Sequence, residues 1–137
     1  MLREVIAAYR DAGGQGTLTI QVHVSYDPDP EQATAIAHDQ WRSNVFPPPL
    51  CWDLDSPEAF EQASAHVRPE GVTDSVLVSS DLGQYTAWLQ EYLELGFDDI
   101  YLHHVGKEQR PFLDAFGEHV LPQLGVSAPG PVAAVRA

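Results

Sequence analysis

Leu2, Val5, Ile6 and Tyr9 recur at helical spacing until Gly13-Gly14 interrupts them, so the chain opens with a predicted amphipathic helix. The next stretch, "TLTIQVHVSY" (17–26), alternates apolar and polar positions and is rich in β-branched residues, which predicts a strand. Asp29 then stands as a helix N-cap, with Pro30 at the first helical position and Gln32 three residues after the cap. Ala33, Ile36, Ala37 and Trp41 form the apolar stripe of that second helix. "NVFPPPLCWDLD" (44–55) reads as non-helical, because three successive prolines remove amide donors and fix φ. Ser56-Pro57 opens a short helix with Phe60, Ala63 and Val67 facing inward. "SVLVSS" (75–80) is short and continuously apolar at its centre, the pattern of a buried parallel strand. Asp81 starts a helix whose inner side carries Leu82, Tyr85, Leu89, Tyr92 and Leu93, with Gly96 after its end. "DIYLHHV" (99–105) is the third strand, and "KEQRPFLDAFGEHVLPQL" (107–124) the closing helix.

Strands that alternate with helices predict an α/β fold with a parallel sheet and right-handed crossovers. The distance from the second strand to the third, about 30 residues, suits one βα unit of a (β/α)8 barrel. Three strands do not close a barrel, and the first helix has no strand before it. The expected organisation is a partial barrel over residues 1–124 and a flexible Pro/Gly/Ala-rich tail over 125–137.

Composition narrows the partners. A net charge of −13 with seven Lys+Arg argues against nucleic acid and anionic membranes, which need clustered cations. No stretch approaches the roughly 20 apolar residues that span a bilayer, and "MLREVIAAYR" is not laid out as a secretory signal. Cys51 is the single cysteine, so neither an internal disulfide framework nor a cysteine zinc cage can form, and a cytoplasmic location is expected.

Three stretches carry a resemblance: "VSYDPDPEQA" at a strand end and helix start, "VLVSSDLGQYTAWLQEYLELGFDDIYLHHVG" across one βα unit, and "KEQRPFLDAFGEHVLPQL". With "WRSNVFPPP" they cover nearly all of residues 17–124. In order and spacing they resemble the C-terminal part of the luciferase-like flavin- or deazaflavin-dependent oxidoreductases, nearest the deazaflavin-dependent glucose-6-phosphate dehydrogenase subgroup. The resemblance implies a C-terminal segment of a (β/α)8 TIM barrel containing its last three strands, with the first half of the barrel absent. That half supplies most of the family's flavin pocket and catalytic residues. The implied activity is hydride transfer between a flavin-type cofactor, FMN or a deazaflavin of the coenzyme F-420 type, and an unknown small organic substrate. Where the sugar-phosphate enzymes carry basic residues, this chain reads "PLCWD" and "VTDSVLV", which argues against a phosphate-bearing substrate.

His103 and His104 are adjacent on the third strand, where successive side chains point to opposite faces, so they do not readily chelate one metal. His103 resembles the family's recurring histidine in position and is on that ground the expected catalytic group, facing the barrel interior; a hydrogen-bonding structural role at the strand end is the competing reading. His104 is expected to pack toward the helices. His23 and Ser25 share one face of the first strand and are candidate substrate-binding residues; interior packing of His23 is the competing reading. Trp52, with Trp41, Phe46 and Cys51 beside the proline run, is a candidate wall for a substrate. Trp41 reads first as a packing residue. A metal would require His23, His103 and Asp27 to converge, and no metal is expected. Lys107 and Arg110 at the last helix read as surface charge rather than an anion site. Two functions stay open: part of a flavin-dependent enzyme, or a catalytically incomplete half-barrel or small oligomeric binding module. In the second case open strand edges would favour a homo-oligomer or association with a missing N-terminal half.

Overall fold

The computed structural model describes residues 1–125; from residue 126 on, the expected tail lies outside the described residues. Three parallel strands form the sheet: β1 (Thr19–Tyr26), β2 (Leu77–Ser79) and β3 (Asp99–His104). Around them are α1 (Leu2–Asp11), α2 (Pro30–Trp41), α3 (Leu50–Asp53), α4 (Pro57–Ser64), α5 (Leu82–Glu94) and α6 (Arg110–Ala115).

The strand order is β2-β1-β3. Consecutive barrel strands would lie in the order β1-β2-β3, so the reading of three successive barrel strands is corrected here. The pair with the geometry of barrel neighbours is β1 and β3, in register over six residues from Thr19↔Asp99 to Val24↔His104. β2 is a three-residue edge that meets only the end of β1, at Val24↔Leu77, Ser25↔Val78 and Tyr26↔Ser79. It is shorter than the apolar run suggests because Val76 is turned into a second core with Val72 and Ala37.

The sheet is covered on both faces. Val22, Val24 and Tyr26 of β1 pack with Tyr85 and Leu89 of α5 and with Phe112, Phe116 and Val120 of the closing segment. Each such apolar side chain contributes about 1.5–3 kcal/mol on burial. α2 lies against the other face, toward the C-terminal end of the strands. There Ala37 packs with Val72, Val76 and Val105, and the Ser25 hydroxyl donates to the Ala33 carbonyl at 2.7 Å. Asp29 caps α2 as the sequence predicts, accepting from the Glu31 amide at 2.9 Å.

Three local readings change. Leu50–Asp53 forms one helical turn inside the stretch read as non-helical, since the prolines precede it and supply carbonyls to Cys51 and Trp52. The closing helix is α-helical only over Arg110–Ala115, then passes through a π turn (Phe116–Val120) and a 3-10 turn (Leu121–Leu124). Pro122 accounts for the break, because it brings no amide and its ring crowds the preceding turn. The apolar stripe of α1 is largely uncovered among the described residues: Leu2, Val5 and Tyr9 are exposed, Ile6 is half-buried, and the helix fully buries none of its residues.

Candidate functional site

Period-two alternation on two strands in register decides where the histidines go. His23 and His103 are direct cross-strand partners, so their side chains leave the sheet side by side on the face opposite α5 and α6. Their Nδ1 atoms are 3.0 Å apart, a distance that requires one ring to donate and the other to accept. The pair can therefore be neutral or carry a single extra proton, but two imidazolium rings would bring two N–H groups into opposition. Burial, and then the neighbouring His103, push His23 below the ordinary imidazole value. His103 itself is exposed. Trp41, the last residue of α2, lies over the pair with ring centroids 4.4 Å from His23 and 5.4 Å from His103.

Ser25 shares the His23 face but is fully buried, and its hydroxyl is committed to Ala33. Its observed part is to hold α2 on the sheet. Trp52 is 76% exposed on α3 and takes no part in the histidine cluster, and the aromatic contact in that region is instead Phe46 on Phe60. The residue the sequence undervalues is Trp41: helical spacing puts it on a packing stripe, whereas the fold carries the end of that stripe onto the histidines. Asp27, the third member of the metal alternative, accepts from the Asp29 amide at 2.9 Å. Among the described residues no three His, Cys, Asp or Glu side chains are grouped to hold a metal ion.

His104 has a different setting. It is 3% exposed, stacks on Phe112 at 4.9 Å with the rings 13° apart, and its Nδ1 accepts from the Tyr26 amide at 3.4 Å. Burial is the main influence that lowers its pKa. Gly106 follows closely. A Cβ there would fall 2.5 Å from His104 Nε2 and 3.0 Å from Ile36 Cγ2. The stacked ring has little room to retreat, so Gly106→Ala is expected to cost about 1–3 kcal/mol in chemical denaturation; an unchanged midpoint would show that the ring moves freely.

The two depressed histidines also set a pH dependence. An unfolded histidine, near 6.5, binds protons more readily than folded His23 or His104. Their contribution to stability is therefore complete above pH 6.5 and is lost as the pH falls below it toward the folded values. Melting temperatures recorded down a pH series should be level above that point and decline below it. A level profile across the whole histidine range would contradict this.

A crevice of about 370 Å³ opens beside this region, between α2 and the start of α6, lined by Asp27, Gln32, Asp39, His104, Lys107 and Glu108 among others. Arg110 is not turned toward an anion site: its Nε binds both carboxylate oxygens of Asp114, at 2.9 and 2.8 Å. Arg42 is likewise held by Asp39.

No protein-family model matches the chain. It is similar to the F420-dependent glucose-6-phosphate dehydrogenase of Kribbella flavida, 33% identical over 105 residues that cover 77% of this chain and 31% of that protein. The enzyme of the same description from Mycobacterium avium is 30% identical over 105 residues, with the same coverage. That from Mycobacterium leprae is 29% identical over 124 residues, 90% of this chain and 36% of the relative. Among solved structures, an F420-dependent secondary alcohol dehydrogenase in complex with an F420-acetone adduct superposes with a TM-score of 0.69 at 17% identity, covering 87% of this chain and 36% of that one. This likeness establishes the fold as a segment of a (β/α)8 barrel. The chain spans about a third of the length of the curated relatives it matches. In sequence the chain is similar to F420-dependent glucose-6-phosphate dehydrogenases and in fold to an F420-dependent secondary alcohol dehydrogenase, corresponding to about one third of such a protein.

Proposed function

We propose that this chain forms part of an F420-dependent oxidoreductase and supplies one wall of its substrate pocket, with the remaining barrel units contributed by further sequence or a second subunit. The observation that carries the reading is the His23–His103 pair, held at 3.0 Å on the face of β1 and β3 turned away from α5 and α6. In a barrel the face away from the outer helices is the interior; here α2 covers the C-terminal end of that face through Ala33, Ala37 and Trp41 and leaves His103 exposed. The relatives named above depend on F420, which favours the deazaflavin over FMN.

The donor set fits the substrate side of such a pocket and not the phosphate-bearing end of the cofactor. Arg10 is spent on the Gly14 and Gly16 carbonyls, Arg42 on Asp39 and Arg110 on Asp114, while Lys107 stands among carboxylates. When bound, the deazaflavin supplies the hydride chemistry. The chain's own part is the proton: oxidising an alcohol releases one and reducing a carbonyl consumes one. With both Nδ1 atoms turned to each other, the exposed His103 has Nε2 left to exchange a proton with a substrate oxygen, and His23 stands behind it as the reservoir. No Lys or Arg occurs in "PLCWD" or "VTDSVLV", so the substrate is taken to be an unphosphorylated alcohol or carbonyl compound.

F420 fluorescence tests this. The chain is titrated with F420 alone, and again after co-expression with a complementing half-barrel. Weak or no quenching alone and saturable quenching with the complement is the expected result. Absence of binding in both would overturn the proposal, and tight binding by the chain alone would overturn its incompleteness.

A further inference from the structure

Trp41 is fixed in place by features unrelated to the histidines. α2 is capped by Asp29, clamped to β1 through Ser25 and Ala33, and packed through Ala37 against Val72, Val76 and Val105. The helix therefore delivers the indole to one spot, over the point where β1 and β3 present His23 and His103. The three rings contact one another: His23 on Trp41, Trp41 on His103 at 71°, and His23 on His103 at 75°.

We propose that Trp41 is a positioning residue, whose indole presses His23 against His103 so that the two imidazoles hold one shared proton. The proposal rests on the reading of this face as the substrate side, but the geometry behind it is independent of any cofactor. Two imidazoles on adjacent strands have freedom about χ1 and χ2, and the pair meets through Nδ1 only in a subset of those rotamers. An indole tilted on His23 and meeting His103 edge to face narrows the competing rotamers. It also covers one side of an otherwise exposed Nδ1–Nδ1 contact, which opposes a second proton. An indole face attracts a cation as well, which works in the opposite direction. Burial is the leading cause that holds His23 below the ordinary imidazole value.

The surroundings add no competing charge. His103 on β3 is the charged group that bears on His23. On the same strand face Gln21 and Ser25 are uncharged, and Tyr101 beside His103 is exposed. From α2 and the turn after it, His38 is bonded to the Val67 carbonyl and Arg42 is bonded to Asp39.

The test is an NMR titration of the histidine side chains in the full chain, wild type against Trp41→Ala, with a thermal melt of each. In the wild type the His23 and His103 resonances should move together in two separated steps, as expected of a coupled pair. In Trp41→Ala the steps should merge and the His23 midpoint should move up toward the ordinary value, while His104 titrates as before. If that variant does not fold, Trp41→Leu is read in its place. A variant that melts earlier yet keeps the wild-type two-step titration would reduce Trp41 to a packing residue and overturn the proposal. Because no cofactor is added, failure of the chain to bind F420 leaves this outcome separately readable.

Discussion

Replacing Phe116 with alanine is expected to remove about 3–5 kcal/mol of stability, a large share of the 5–15 kcal/mol typical of a domain. Phe116 is 2% exposed and sits where the closing segment meets the sheet and α5. Its ring contacts Phe112 at 4.4 Å, Tyr85 at 4.9 Å and Tyr26 at 5.7 Å. Truncation loses the transfer energy of the ring and leaves a cavity between three other aromatic side chains, which cannot all shift to fill it. The π turn over Phe116–Val120 is what aims this ring inward, so the loss should be accompanied by faster amide exchange through that turn. Urea denaturation gives the comparison directly: the midpoint should fall while the slope is unchanged. A loss below about 1 kcal/mol would mean that the site collapses without cost and that the closing segment is not the anchor of this core.

The second large effect is expected from Tyr85→Phe, which deletes one oxygen atom. The Tyr85 side chain is fully buried and its hydroxyl donates to the Ser25 carbonyl at 2.5 Å, with the Leu77 and Ser79 carbonyls at 3.1 and 3.3 Å. It also accepts from the Ser79 amide at 2.9 Å. Burial raises its pKa strongly, so the group stays a neutral phenol and keeps its donor. Phenylalanine would leave the Ser79 amide and the Ser25 carbonyl short of a partner, at about 1–3 kcal/mol each, for a total loss of about 2–6 kcal/mol. The three-residue β2 depends on this hydroxyl more than the longer β3 does. Exchange of the Ser79 amide should therefore rise more than that of any amide in the β1–β3 ladder. Equal protection in mutant and wild type would show that β2 is held by its ladder bonds alone.

Much of this architecture is legible in the chain because local rules and the fold agree. Asp29-Pro30 and Ser56-Pro57 start helices where the capping pattern places them, and both caps are satisfied by side-chain bonds. Alternation along "TIQVHVSY" separates Val22, Val24 and Tyr26 from His23 and Ser25, and the same rule divides His103 from His104. Strand order is not local, and it is where the sequence misleads: "SVLVSS" resembles an inner strand, yet it ends up as a short edge because α2 competes for Val76. Trp41 is illegible for a related reason. Its spacing says that it packs, but not that its packing partners are two imidazoles brought in from strands 80 residues apart. Trp52 shows the converse, since an aromatic residue next to a proline run attracts attention in the sequence and stands exposed in the fold.

The central claim is that the face bearing His23 and His103 meets the cofactor and substrate, while His104 belongs to the helical layer. It is tested most directly by adding F420 to the complemented protein and following the imidazole nitrogen resonances of all three histidines. The account predicts that His23 and His103 shift together as F420 saturates and that His104 remains where it was. Saturable F420 binding that moves His104, or that leaves His23 and His103 unmoved, would contradict it.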